Sequence, residues 1–242
     1  MDRSNQSYRN RILQLLNPAD FDRLRSHLEA VQFEYRQSLY DANRDITFVY
    51  FPIEGVASLV ITLENGSGVE VGTIGNEGVV GLPILLFDRL APTNAYIQVP
   101  GTGLRLRADV LRKELEINSR MRTVMLHYAH ALFNQVAQSA ACAHLHSVEQ
   151  RCCRWLLMTH DRVQSDQFLL TQEFLGMMLG VRRTSVTEVA NKLKRRKLIE
   201  YVRGRVTILD RSGLQELACE CYSVSKQEFD RLLGYPLGPQ RG

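Results

Sequence analysis

Over roughly the first hundred residues the apolar positions fall in short runs broken by turn formers. The runs VQFEY, SLY, ITFVYF, GVASLVITL, VEVGTI, AYIQV and GLRLR are divided by Asn43, Gly55, Asn65-Gly66, Gly75-Asn76 and Pro100-Gly101. Brief strands punctuated this way predict an antiparallel β-roll or jelly roll, entered through an amphipathic helix from Pro18 to Ala30. The pattern then lengthens. The segment from Asn118 to Ala143 holds neither glycine nor proline, and Met121, Met125, Tyr128, Leu132, Val136 and Ser139 recur at a spacing of three to four. That predicts a long helix that packs along a partner helix or against its own strands. A boundary is expected near His144–Ser147 with no proline- or glycine-rich linker, which suits a hinge better than a tether. A further helix should then carry Val148, Cys152, Trp155, Leu156 and Met158 into a second core.

The stretch after Leu170 is the most specific. Thr171 is a good N-cap with Glu173 in the first turn, and Phe174, Leu175, Met178 and Leu179 recur at helical spacing. Gly180 should end this helix in a left-handed conformation, and a second helix should start near Arg183. In that second helix Val186, Val189, Ala190 and Leu193 share one face, while Arg183, Thr184, Thr187, Glu188 and Asn191 share the other. The run YVRGRVTIL then predicts a hairpin with Arg203-Gly204-Arg205 at its tip.

Charge sharpens this picture. From Thr171 to Arg211 ten basic residues face four acidic ones, while the whole chain carries only +4, so the remainder is slightly acidic. Arg182 and Arg183 stand at a helix start, where each costs about 0.3–1 kcal/mol unless an anion is near. A DNA phosphate is such an anion, with base edges just beyond it. Arg183, Thr184, Thr187 and Glu188 are therefore candidates to face bases, Arg183 toward guanine and Glu188 toward a cytosine amine. Arg182, Lys192, Arg203 and Arg205 are candidates for phosphates, with Thr171, Ser185 and Asn191 on the same surface.

In these residues the chain resembles the winged-helix domain of the Crp/Fnr family of transcription regulators. Thr171, Gly176, Gly180, Arg183, Val186 and Leu193 stand where the family motif wants them. The segments VYFPIEGVASLVI and VEVGTIGNEGVVG resemble the same family's cyclic-nucleotide-binding-like sensor roll. The resemblance implies an α+β fold divided into a sensor roll over residues 1–117, a dimerisation helix over 118–145 and a winged helix-turn-helix over 146–242. It also implies a homodimer on a palindromic double-stranded DNA site, with the half-sites about 34 Å apart, and RNA polymerase as a further partner. Met121, Met125, Tyr128, Leu132 and Val136 are the expected dimer seam. Two departures matter. Thr184 and Glu188 replace the glutamate and arginine of the cyclic-AMP-responsive member, so the DNA site should differ. Gly81-Leu82-Pro83 and Thr93-Asn94 stand where cyclic-AMP binders place a glycine-glutamate-leucine turn and an arginine-serine pair, so cyclic AMP is not the expected effector, and the effector stays unassigned.

Composition restricts the alternatives. The 242 residues suit two domains, and 23% charged with 45% hydrophobic residues is ordinary for a globular protein. No apolar run of transmembrane length and no signal-peptide pattern occurs, so a cytoplasmic protein without membrane contact is expected. Five cysteines argue against a disulfide framework, and the first of them, Cys142, comes too late for an iron–sulfur cluster in the sensor. Cys142 and His146 share a helix face at i and i+4 and, with His144, Cys152, Cys153, His127 and His130, offer soft ligands for zinc. No paired CxxC supports that reading, so no metal and no cofactor is expected. Cys219 and Cys221 are expected to alternate around a helix after the wing, as packing residues. GxSxG, HExxH and a lysine-bearing phosphate loop are all missing, so an enzyme is not expected. The competing functional class is a small-molecule or partner-binding sensor whose basic motif contacts protein or RNA.

Overall fold

The computed structural model describes residues 9–163 and 165–234. Helices α1 (Arg11–Gln14) and α2 (Pro18–Arg25) lead into strands β1 (Glu29–Phe33), β2 (Ser38–Tyr40), β3 (Phe48–Pro52), β4 (Val56–Thr62) and β5 (Gly68–Ile74). A single turn, α3 (Leu82–Leu85), precedes β6 (Asn94–Val99) and β7 (Gly101–Arg107), and α4 (Ala108–Ile117) leads to the long α5 (Ser119–Leu145). The second half comprises α6 (Val148–His160), β8 (Gln167–Leu169), α7 (Gln172–Leu179), α8 (Arg183–Arg195), β9 (Ile199–Val202), β10 (Arg205–Ile208), α9 (Arg211–Leu217) and α10 (Cys221–Leu233). None of the described helices is long and apolar enough to cross a membrane.

The predicted strand runs become two antiparallel sheets, ordered β1-β7-β3 and β2-β6-β4-β5. Phe33, Val49, Phe51, Ile74, Ile97 and Leu106 fill the space between them and are all but inaccessible. Helix α2 is shorter than the sequence pattern suggests, because Glu29 already pairs with Arg105 in the first sheet. Strand pairing there overrides a continuing helical period.

Helix α5 closes the roll. Asn118 caps it by accepting from the Met121 amide, 3.0 Å away, and Met121, Met125, Tyr128 and Leu132 are at most 1% exposed within their own roll. The Tyr128 hydroxyl donates to the Val79 carbonyl at 3.0 Å, and Gln135 Nε2 donates to the Thr73 carbonyl at the same distance. These four apolar side chains therefore serve the intrachain core, which corrects their placement in a dimer seam. Val136 is half-buried beside Gly72 of β5. Helix α10 runs along a second side of α5, where Asn134 donates to Glu228, and it inserts Phe229 and Leu233 into the roll core. The side of α5 left open carries Leu126 and Phe133, 45% and 67% exposed and one heptad apart, followed by the exposed Ala137 and Ala140.

Helix α5 ends at Leu145 and α6 begins at Val148, so the helix is interrupted here. His146 is extended after α5, and Ser147 opens α6 with a capping box to Gln150. Trp155, Leu156, Phe174, Leu175, Met178, Leu179, Val186, Leu193, Val206 and Ile208 form a second core that also takes in Val56, Val60 and Val99 of the roll. Polar contacts join the two halves. Trp155 Nε1 donates to Glu70 at 3.0 Å, and Arg162 forms a buried ion pair with Glu77 at 2.8 Å. The cysteine assignment after the wing also needs correction. Helix α9 ends before Ala218, whose backbone is extended, and α10 begins at Cys221. Cys219 thus lies between two helices, and it and Cys221 turn together toward Cys142 rather than around one helix axis.

Candidate nucleic-acid interface

The candidate surface is built on the turn between α7 and α8. Thr171 Oγ1 accepts from the Phe174 amide at 3.1 Å and caps α7. At the other end Gly180 is left-handed with φ +62°. Its amide donates to the Met177 carbonyl and the Val181 amide to the Gly176 carbonyl, at 3.1 and 2.9 Å, the double closure of a Schellman motif. The chain is thereby turned within two residues into α8, whose Val186, Ala190 and Leu193 are buried. Thr187 Oγ1 lies 2.8 Å from Gln172 Oε1 and 3.0 Å from the Arg183 carbonyl, fixing α8 against α7.

The start of α8 is open to an anion. Arg182 occupies the N-cap with no side-chain cap bond, and no acidic residue stands in the first turn, so the first amides of the helix lack a capping acceptor. Arg182, Arg183, Thr184, Glu188 and Asn191 are exposed, and Ser185 and Thr187 are half-buried. Lys192, a phosphate candidate, pairs in the protomer through its Nζ with Glu149 in the first turn of α6.

The wing brings more cations to the same region. Strands β9 and β10 pair antiparallel with Val202 opposite Arg205, joined by Arg203 and Gly204 at φ +48° and +75°, the two positive values of a type I′ turn. Arginine in that region costs about 1–2 kcal/mol, so the tip holds a cation where asparagine would be less strained. The turn is pinned near α7. The Leu170 amide donates to the Gly204 carbonyl at 2.8 Å, the Tyr201 hydroxyl donates to the Leu170 carbonyl, and Thr171 Cγ2 lies 3.6 Å from where a Gly204 Cβ would sit. Arg203 and Arg205 are exposed there. Gln172, as partner of Thr187, carried no signal in the sequence, since its role depends on contact between two helices.

Residues 150–217 match the profile of the Crp-like helix-turn-helix domain. This part of the chain is a Crp-like helix-turn-helix domain. Whole-chain comparison agrees in fold. FixK2 from Bradyrhizobium japonicum is 14% identical, with 79% of this chain and 98% of that one covered at a TM-score of 0.67. TTHB099, a transcriptional regulator of the CRP family from Thermus thermophilus, is 17% identical, with 86% and 98% covered at 0.63. CLP, a c-di-GMP-responsive global regulator from Xanthomonas campestris, is 14% identical, with 79% and 99% covered at 0.62. No curated protein sequence matches the chain. The Crp-like domain thus follows a roll and long helix arranged as in Crp/Fnr regulators.

The face of the roll toward the Crp-like domain sets a polar cluster beside the valines of the second core. A cavity of about 80 Å³ lies between β5, α5 and α6, lined by Glu70, Gly72, Gln135, Arg154, Trp155 and Met158, room for a few waters. Burial pushes the Glu70 carboxyl up to about 7, opposed by hydrogen bonds from Ser58 and Trp155. Ser58 Oγ lies 2.7 Å from Glu70 Oε2 and 2.5 Å from Gln98 Oε1. Its single proton serves one of these two acceptors at a time. Asn94 accepts from the Ala42 amide and donates to the Thr62 hydroxyl.

Proposed function

We propose that the protein is a homodimeric transcription regulator that reads a palindromic DNA site through α8. The observation that carries this reading is the uncapped, arginine-bearing start of α8 set beside a strained basic wing tip. In this reading Arg183, Thr184 and Glu188 face base edges, and Arg182, Arg203 and Arg205 hold phosphates. Asn191 and Ser185 flank them, while Thr187 serves mainly to seat α8. The dimer forms through the open side of α5, with Leu126, Phe133, Ala137 and Ala140 as the seam, and two copies of α8 then address half-sites one helical turn apart. Division into a sensor roll up to residue 117, the long helix and a reader from residue 146 belongs to this proposal. So does RNA polymerase as the downstream partner. The roll's effector is not a cyclic nucleotide held by an arginine-serine pair, because that pair is replaced by Thr93 and Asn94.

Fluorescence anisotropy with a selected operator duplex tests the surface. Arg183→Ala is expected to weaken specific binding by about 1–3 kcal/mol and relax one base position. Arg205→Ala is expected to weaken all duplexes alike and lower the salt slope by about 1. Wild-type affinity and salt dependence in both variants would overturn the assignment, and sequence-blind binding would favour a contact with RNA or protein.

A further inference from the structure

Outside the DNA-reading face, the side chains of Cys142, His146, Cys219 and Cys221 converge across the hinge. Their ligand atoms all lie within 4.8 Å of one another. Cys142 Sγ is 3.5 Å from Cys219 Sγ, and Cys221 Sγ is 3.5 Å from His146 Nδ1. A tetrahedron of thiolates about 2.3 Å from a central zinc ion has edges of about 3.8 Å, so two contacts of 3.5 Å with no pair beyond 4.8 Å place all four ligand atoms within reach of one ion. They are too close for a cluster that spreads its ligands over separate irons. The three cysteines form a small buried group of their own, apart from both hydrophobic cores.

The surroundings favour metal ligation over ordinary packing. The second ring nitrogen of His146, Nε2, lies 3.2 Å from a Glu220 carboxylate oxygen, the carboxylate–histidine pairing that fixes the tautomer and orientation of a metal-bound imidazole. Gln138 Nε2 donates to Cys221 Sγ at 3.0 Å, which suits a sulfur carrying negative charge. From these contacts we infer that the protein binds one zinc ion per chain through Cys142, His146, Cys219 and Cys221.

The ion sits where it constrains the molecule most. Cys142 and His146 belong to the last turn of α5 and its cap, directly before Ser147 opens α6. Cys219 and Cys221 belong to the junction of α9 and α10. Zinc therefore ties the end of the long helix to the segment that follows the wing, closing a loop that contains the entire Crp-like domain. The orientation of that domain against α5 becomes coupled to zinc and to the thiol state of three cysteines.

Metal analysis of the full chain tests this, using protein made in zinc-supplemented medium and purified under reducing conditions. One zinc per chain is expected, released in step with cysteine titration by a mercurial. Cobalt(II) in its place should show the intense ligand-field and sulfur-to-metal charge-transfer bands of a tetrahedral thiolate site. Cys219→Ser and Cys221→Ser are each expected to reduce bound metal to background. His146→Cys should retain cobalt with shifted bands, and Cys152→Ser, in the other core, should leave stoichiometry unchanged. Wild-type protein that holds no zinc and gives no cobalt spectrum would overturn the proposal. So would a Cys142–Cys219 disulfide in the protein as purified, or metal retained by Cys219→Ser and Cys221→Ser combined.

Discussion

Replacing Glu70 by glutamine should make the protein more stable at pH 8 and change it little at pH 4.5. Burial lifts this carboxyl from an ordinary 4.5 to about 7. The unfolded chain therefore ionises Glu70 above pH 4.5, whereas the folded protein keeps its proton until pH is near 7. In that window the unfolded state binds fewer protons, so stability falls as pH rises, and the loss is complete above pH 7. At about 1.4 kcal/mol for each tenfold change in proton affinity, the loss is of order 3 kcal/mol. Glutamine keeps an acceptor for Trp155 Nε1 and a partner for Ser58, the contacts made by Glu70 at 3.0 and 2.7 Å, without a charge to bury. Urea unfolding at several pH values, followed by the fluorescence of Trp155, the chain's only tryptophan, measures the difference. Wild type and Glu70→Gln should converge near pH 4.5 and separate in favour of the variant by pH 8. Parallel curves, or a less stable variant at pH 8, would refute the reasoning.

Other outcomes follow from the same structure. Arg162→Ala should destabilise by about 3–5 kcal/mol, because it leaves Glu77, 1% exposed, charged and without its cation. The combination Arg162→Met with Glu77→Leu should recover most of that in chemical unfolding. Leu126→Glu with Phe133→Glu should convert a dimer to a folded monomer in analytical ultracentrifugation, since both side chains are exposed in the protomer. Met121→Glu should instead unfold the protomer, because Met121 lies in the roll core.

Much of this architecture was legible where local chemistry decides it. Thr171 as cap, Gly180 as left-handed terminator and the buried stripe Val186, Ala190 and Leu193 follow from periodicity and capping, and each stands in the structure as expected. The strand runs were legible for the same reason. The seam was misplaced because a spacing of three to four marks a buried helix face without saying whose surface buries it. The roll of the same chain claims Met121, Met125, Tyr128 and Leu132. The pairing of Lys192 with Glu149 is not legible in the sequence, because nothing local predicts that Glu149, on α6, would reach it. The meeting of the cysteines is hidden from local sequence for a related reason. Cys142 and Cys219 are 77 residues apart in sequence, and their meeting depends on α10 folding back along α5. An unbroken helix through Cys219 and Cys221 would have kept them apart, and the extended backbone at Ala218 removes that constraint.

Selection of bound sequences from a pool of random duplexes, followed by salt titration on the winning site, tests the central claim most directly. The dimeric reader predicts an inverted repeat with half-site centres about 10 base pairs apart and affinity that falls steeply with salt. Loss of preference at one symmetric pair of positions in Arg183→Ala should accompany it. A pool that returns no common sequence, or a motif untouched by that substitution, would contradict it.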